Sequence, residues 1–143
     1  MYVGHQDARQ IRRFLKQKIV IACDKDFVLV RQRAEPAIEF NVDRGEKIRR
    51  KWEQIPDDTD VLITHGPPHG ILDMVSDMWS GKAEAVGCEE LLPIVQRIKP
   101  RAHIFGHIHA GYGQLTQGGI QYVNASNCNE QYQLVHPPIV LDL

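Results

Sequence analysis

The 143-residue chain has no apolar run approaching the roughly 20 residues that cross a bilayer, its longest stretches being short ones such as Ile-Val-Ile-Ala between Lys18 and Cys23. The N-terminus lacks the apolar h-region of a secretory signal, so the expected setting is soluble and cytoplasmic, with no membrane partner. Cysteine is scarce. Cys23, Cys88 and Cys128 are odd in number and widely spaced, and no C-x-x-C occurs. That disfavours both a disulfide framework and a cysteine zinc site, leaving buried or reduced thiols. There is no excess of charge either, with 17 basic against 18 acidic residues and a net of -1. Without a basic field the chain has no electrostatic hold on nucleic acid, so an anionic substrate needs a local positive site, which a metal ion supplies. Internal repeats and low-complexity segments are absent. The length fits a single domain, 1–143, able to bury about two-thirds of the surface its unfolded form exposes.

What is present reads as alternating elements. Ile11, Phe14 and Leu15 lie at helical spacing among Arg9, Arg12, Arg13 and Lys16, which predicts a short basic helix over 6–16. Two β-prone runs, Ile19 to Ala22 and Phe27 to Val30, suit a hairpin, and Pro36 makes 31–40 a loop. A helix is expected from Asp43, with Asp43 as N-cap, Glu46 as its capping-box partner, and Ile48, Trp52 and Ile55 facing inward. Val61 to Thr64 reads as a buried strand, followed by the turn Gly66-Pro67-Pro68-His69-Gly70. The stretch 71–82 suggests a short helix or a flap. Cys88 to Ile98 reads as a helix stopped by Pro100, and Ala102 to Phe105 as a second buried strand. A Gly118-Gly119 turn joins Gln114–Thr116 to Ile120–Asn124 as a hairpin, and Ile139 to Leu143 reads as a closing strand. This order predicts an α/β layered sandwich.

The chemistry concentrates at the two buried strands. Val61-Leu62-Ile63-Thr64 runs directly into His65 and Gly66, and Ile104-Phe105 runs into Gly106-His107-Ile108-His109. Neutral imidazole is the commonest nitrogen ligand for divalent transition metals, and the carboxyl end of a sheet strand is a rigid place to hold one. A lone histidine at a strand end is commonly a hydrogen-bonded core or surface residue. Three of them behind two apolar strands form a constellation that points to metal binding. If the second strand stays extended, His107 and His109 face the same way and Ile108 faces the packed side; if the chain bends after Gly106, the two rings can serve two adjacent ions. His69, in the turn, reads as a solvent-exposed loop residue.

With these residues assembled, the sequence resembles the calcineurin-like metallophosphoesterases, in their metallophosphoesterase-domain-containing subgroup. The resemblance is carried by Phe40-Asn41, Arg44-Gly45, Lys51-Trp52, Ile55-Pro56, Asp60-Val-Leu-Ile-Thr-His-Gly-Pro-Pro68, Gly87-Cys88, Gly106-His-Ile-His109, Gly111-Tyr-Gly113, Val123-Asn-Ala-Ser126 and Pro137-Pro-Ile-Val-Leu-Asp142. It covers 40–143, with 1–39 as an atypical leader. The resemblance implies the family's layered α-β-β-α sandwich, here as an incomplete carboxyl-terminal half. It implies hydrolysis of phosphomonoesters or phosphodiesters, with nucleotide-like small molecules as substrates and a pair of divalent ions (Mn, Fe or Zn) in the site. It further implies that His65 and His107 hold one metal and His109 its neighbour.

The family's remaining motifs, Asp-x-His, Gly-Asp and Gly-Asn-His, do not occur in the chain, and Ala110 stands where the subgroup usually has an acidic residue. Three neutral imidazoles lack the negative charge that holds two dications together, so at most one ion is expected here and no catalytic residue is assigned. Three readings follow: a metal-dependent phosphoesterase, a catalytically silent metal- or nucleotide-binding domain, or an inactive truncated form. A half-fold with an uncovered sheet edge also predicts self-association.

Overall fold

The computed structural model describes residues 19–22, 43–76 and 82–143. The predicted helix over 6–16, the second hairpin strand at 27–30, the loop 31–40 and residues 77–81 lie outside them. Five strands form one sheet in the order β1-β2-β5-β7-β6, where β1 is Ile19–Ala22, β2 Val61–Thr64, β5 Ala102–Phe105, β6 Gly113–Gln117 and β7 Ile120–Asn124. The first four strands in that order run parallel, and β6 closes the edge antiparallel to β7. A separate two-stranded ribbon pairs β3, Met74–Ser76, with β4, Ala83–Ala85. This is a mixed α/β fold, consistent with part of the layered sandwich.

The helices α1, Glu46–Trp52, and α2, Leu91–Ile98, pack on the sheet through one apolar cluster. α2 buries Leu91, Ile94, Val95 and Ile98, the i, i+3, i+4, i+7 stripe that seats a helix on a core. Pro93 is harmless at its third position because a first-turn N–H has no intrahelical partner to lose. The helix starts three residues later than the sequence suggests and ends at Lys99, whose left-handed backbone returns its N–H to the Val95 carbonyl at 2.9 Å. Leu62, Phe105, Ile120 and Tyr122 meet the helices from the sheet, together with Ile48, Trp52 and Ile55 as expected. β2 and β5 are buried on both faces over most of their length, which is why they read as continuous apolar runs rather than alternating ones.

Three sequence expectations are corrected. The Asp43–Glu46 capping box does not form. Gly45 is the N-cap, its N–H donating to the Glu90 carboxylate, so the helix begins too far along for Asp43 to reach its first turn. Glu46 instead pairs with Arg50 at 3.0 Å and Asp43 lies 3.8 Å from Lys47, both exposed. Burial opposes ionisation of Glu90, yet its backbone N–H bonds, the Cys88 thiol and Arg44 hold its carboxyl below the usual range. Met74–Ser76 is a strand rather than a helix, because pairing with Ala83–Ala85 satisfies its backbone. Residues 139–143 form no strand. Pro137 and Pro138 remove two ladder donors, and Val140 is 83% exposed. The hairpin β6–β7 is as expected, with φ of 61° and 81° at Gly118 and Gly119, the two positive values a tight two-residue turn requires. Among the described residues no helix is long and apolar enough to cross a membrane.

Candidate metal centre

β2 and β5 are parallel neighbours in register, Ile63 opposite Ile104, so their carboxyl ends deliver His65 and Gly106 side by side. The Gly106 N–H donates to the His65 carbonyl at 2.9 Å, extending the ladder one step past the strands. There the two chains part. His107 takes φ +69°, a left-handed conformation that a non-glycine residue holds at a cost of about 1–3 kcal/mol. The bend turns its ring back towards β2, and Ile108 points into the core. Of the two geometries the sequence allows, the chain adopts the bend.

The bend brings His65 Nε2 to 3.1 Å from His107 Nδ1, with ring centroids 4.6 Å apart and planes at 44°. Two nitrogens each about 2.0–2.1 Å from a single ion, at tetrahedral to right-angled geometry, would stand about 3 Å apart. The donor pair therefore fits one divalent ion. His109 does not join them. It opens a 3-10 turn, His109–Gly111, where its Nδ1 lies 2.7 Å from the Asn129 carbonyl and its ring stands edge-on to Tyr132 at 5.2 Å. A carbonyl can only accept, so Nδ1 carries a proton, which in a neutral ring leaves the lone pair on Nε2, the tautomer and orientation that metal-binding histidines show. Among the described residues no three His, Cys, Asp or Glu side chains gather tightly enough to hold one ion. The structure thus unites two of the three candidates.

Sequence reasoning missed what supports these rings. His103, wholly buried on β5, places Nε2 2.9 Å from Thr64 Oγ1, and Thr64 lies 2.7 Å from the Gly66 carbonyl. That carbonyl needs a donor, so Thr64 gives its proton to Gly66 and accepts from His103 Nε2–H. The remaining His103 nitrogen has no hydrogen-bond partner among the described residues, and burial pushes the ring's pKa down to about 3. A histidine inside an apolar strand pattern was the available signal. Below the turn, Asp73 is 1% exposed and accepts from the Gly70 and Gly87 N–H groups at 2.8 and 2.9 Å. His69 is less solvent-facing than expected, its Nδ1 buried 3.9 Å from Asp73 Oδ2. Cys88 is half-buried; burial pushes its thiol up, and neither it nor Cys128 forms a disulfide.

A family model described as calcineurin-like phosphoesterase matches residues 9–111, from the basic N-terminal segment through the second histidine turn. The chain belongs to the calcineurin-like phosphoesterase family. Members of this family are generally divalent-metal dependent and act on phosphoesters. The chain is similar to metallophosphoesterase domain-containing protein 1 of Homo sapiens, 54% identical over 105 residues that make up 73% of this chain and 31% of that protein. The Mus musculus protein of the same name matches over the same shares. A UPF0046 protein of Caenorhabditis elegans is 42% identical over 105 residues, 73% of this chain and 25% of its own. The chain thus spans about a third or less of the length of these relatives.

Proposed function

We propose that this domain contributes part of the divalent-metal centre of a phosphoesterase acting on phosphomonoesters or phosphodiesters of nucleotide-like molecules. His65 and His107 together hold one ion. The observation that carries this is the 3.1 Å approach of His65 Nε2 to His107 Nδ1, reached through the left-handed backbone of His107. His109 presents Nε2 to a neighbouring position while Asn129 fixes its ring. A bound ion would supply the Lewis acidity that stabilises charge developing on a transferring phosphoryl group. The chain's own part is positional: two strand ends set the imidazoles, and the Thr64–His103 pair holds the first turn in place.

A second reading, ion or nucleotide binding without turnover, draws on a different observation. The carboxylate of the loop after β2, Asp73, is turned to backbone N–H groups rather than to the imidazole pair, so the described donor set is neutral. Turnover of an aryl phosphate and of cyclic nucleotides with added manganese separates the two. Hydrolysis that depends on manganese and is lost in His107→Ala supports the phosphoesterase, whereas metal binding without hydrolysis selects the silent domain. Neither binding nor hydrolysis in folded protein sinks both.

A further inference from the structure

The carbonyl of Ile108, the residue between His107 and His109, is held by a side chain from another strand. Asn124 ends β7 and is wholly buried. Its Nδ2 donates to the Ile108 carbonyl at 2.8 Å and to the Leu72 carbonyl at 3.2 Å, and its Oδ1 accepts from the Ser126 N–H at 3.1 Å. Two carbonyls on one side and an N–H on the other fix which end of the amide is which. Both of its amide protons and its oxygen are therefore engaged.

The two carbonyls belong to segments in uncommon conformations. Ile108 follows left-handed His107, and Leu72 is itself left-handed at φ 51°. The 3-10 turn presses against Leu72 so closely that a Cβ on Gly111 would lie 2.0 Å from the Leu72 oxygen and 2.9 Å from Asn124 Nδ2. Backbone pairing stops just short of this point: β5 ends at Phe105, opposite Asn124, and past it the ladder continues as the Ala125 N–H bond to the Phe105 carbonyl at 2.7 Å and the Gly106 N–H bond to the His65 carbonyl at 2.9 Å. From Gly106 onward the chain is kept in its bend by its own short turn bonds and by Asn124.

We propose that Asn124 is a positioning residue for the imidazole pair: by tying Ile108 to Leu72 it holds the bend that aims His107 Nδ1 at His65 Nε2. This rests on the phosphoesterase reading only in so far as the pair is a metal site. Asn124→Asp preserves shape while replacing the two-carbonyl donor with an acceptor, and so sets a carboxylate oxygen against two carbonyls. Zn2+ alone serves as the metal probe, read by calorimetry on the full chain, with amide hydrogen exchange on the metal-free protein as the second readout.

The expected result is a loss of Zn2+ affinity of about tenfold or more, the range for partners that orient metal ligands. Exchange at the Ile108 and Gly111 amides should quicken while the Leu62 and Val95 amides keep their protection. Uniform quickening across the sheet, or unchanged exchange at Ile108 and Gly111, overturns the proposal by making Asn124 a general fold residue or a dispensable one. If the unaltered chain takes up no Zn2+, the metal-site reading fails, and local exchange still decides the role of Asn124. Should Asn124→Asp not fold, Asn124→Ser, which adds no charge, is measured in the same way with the same outcomes.

Discussion

The turn after β2 runs Thr64-His65-Gly66 with ordinary backbone angles and is held from beneath, Thr64 bridging the Gly66 carbonyl and His103 of the adjacent strand. The turn after β5 runs Gly106-His107-Ile108-His109 through a left-handed residue and is held from outside, by Asn124 of β7 reaching both Ile108 and Leu72. In sequence the two look alike, an apolar strand followed by histidine and glycine. The difference is in where the restraint originates. The first turn is set by the two central strands themselves, so His65 is in place once β2 and β5 pair. The second needs the hairpin β6–β7 and the segment around Leu72, so His107 reaches its partner only when distant parts of the chain have docked.

Gly111→Ala strikes the second turn alone and carries the largest expected effect. Its Cβ would meet backbone atoms that cannot rotate away, so a loss of about 3 kcal/mol is expected in urea denaturation, at the upper end for overpacking. A loss within experimental error would mean that the turn is looser than described.

Acid acts on the first turn through His103. The unfolded imidazole takes a proton near 6.5, whereas the folded one resists until about 3, so the unfolded state binds more protons across that window. Stability is complete above the upper value and falls as pH drops, by about 1.4 kcal/mol per pH unit from this residue. Denaturation at pH 7 and pH 5 should show the decline, and His103→Leu should flatten it. An equally steep decline in His103→Leu would place the acid sensitivity elsewhere.

Thr64→Val leaves the buried His103 Nε2–H without an acceptor and the Gly66 carbonyl without its donor. A cost of about 1–3 kcal/mol follows from burying an unsatisfied group. The same substitution should leave hydrogen exchange at Ile108 unchanged relative to the core, because that amide belongs to the other turn. The smallest effect has the opposite sign: His107→Gly removes left-handed strain and should stabilise the fold by up to about 1 kcal/mol while abolishing ion uptake. Destabilisation would show that the His107 ring contributes packing that outweighs its backbone strain.

The sequence carried those parts of the fold whose cause is local. β2 and β5 were visible as short apolar runs, α2 as an apolar stripe closed by Pro100, and the hairpin through Gly118-Gly119, because period and turn chemistry act over a few residues. Met74–Ser76 is not legible as a strand, and the helix alternative for 71–82 fails there, because the strand exists only by pairing with Ala83–Ala85; the start of α1 is hidden because Glu90, 45 residues away, binds Gly45. Residues 139–143 show the converse, an apolar pattern that finds no strand partner among the described residues. In the site, His65 and His107 were visible as strand-end histidines. His103, Asp73 and Asn124 were not, because their roles lie in hydrogen bonds to carbonyl and N–H groups of other segments, which leave no mark on spacing.

Imidazole 15N NMR during a Zn2+ titration of the full chain asks whether His65 and His107 share one ion through particular nitrogens. The prediction is that Nε2 of His65 and Nδ1 of His107 shift together and saturate at one ion per pair. The claim is contradicted if neither nitrogen responds, or if the ion is taken up through other histidines while this pair is unchanged.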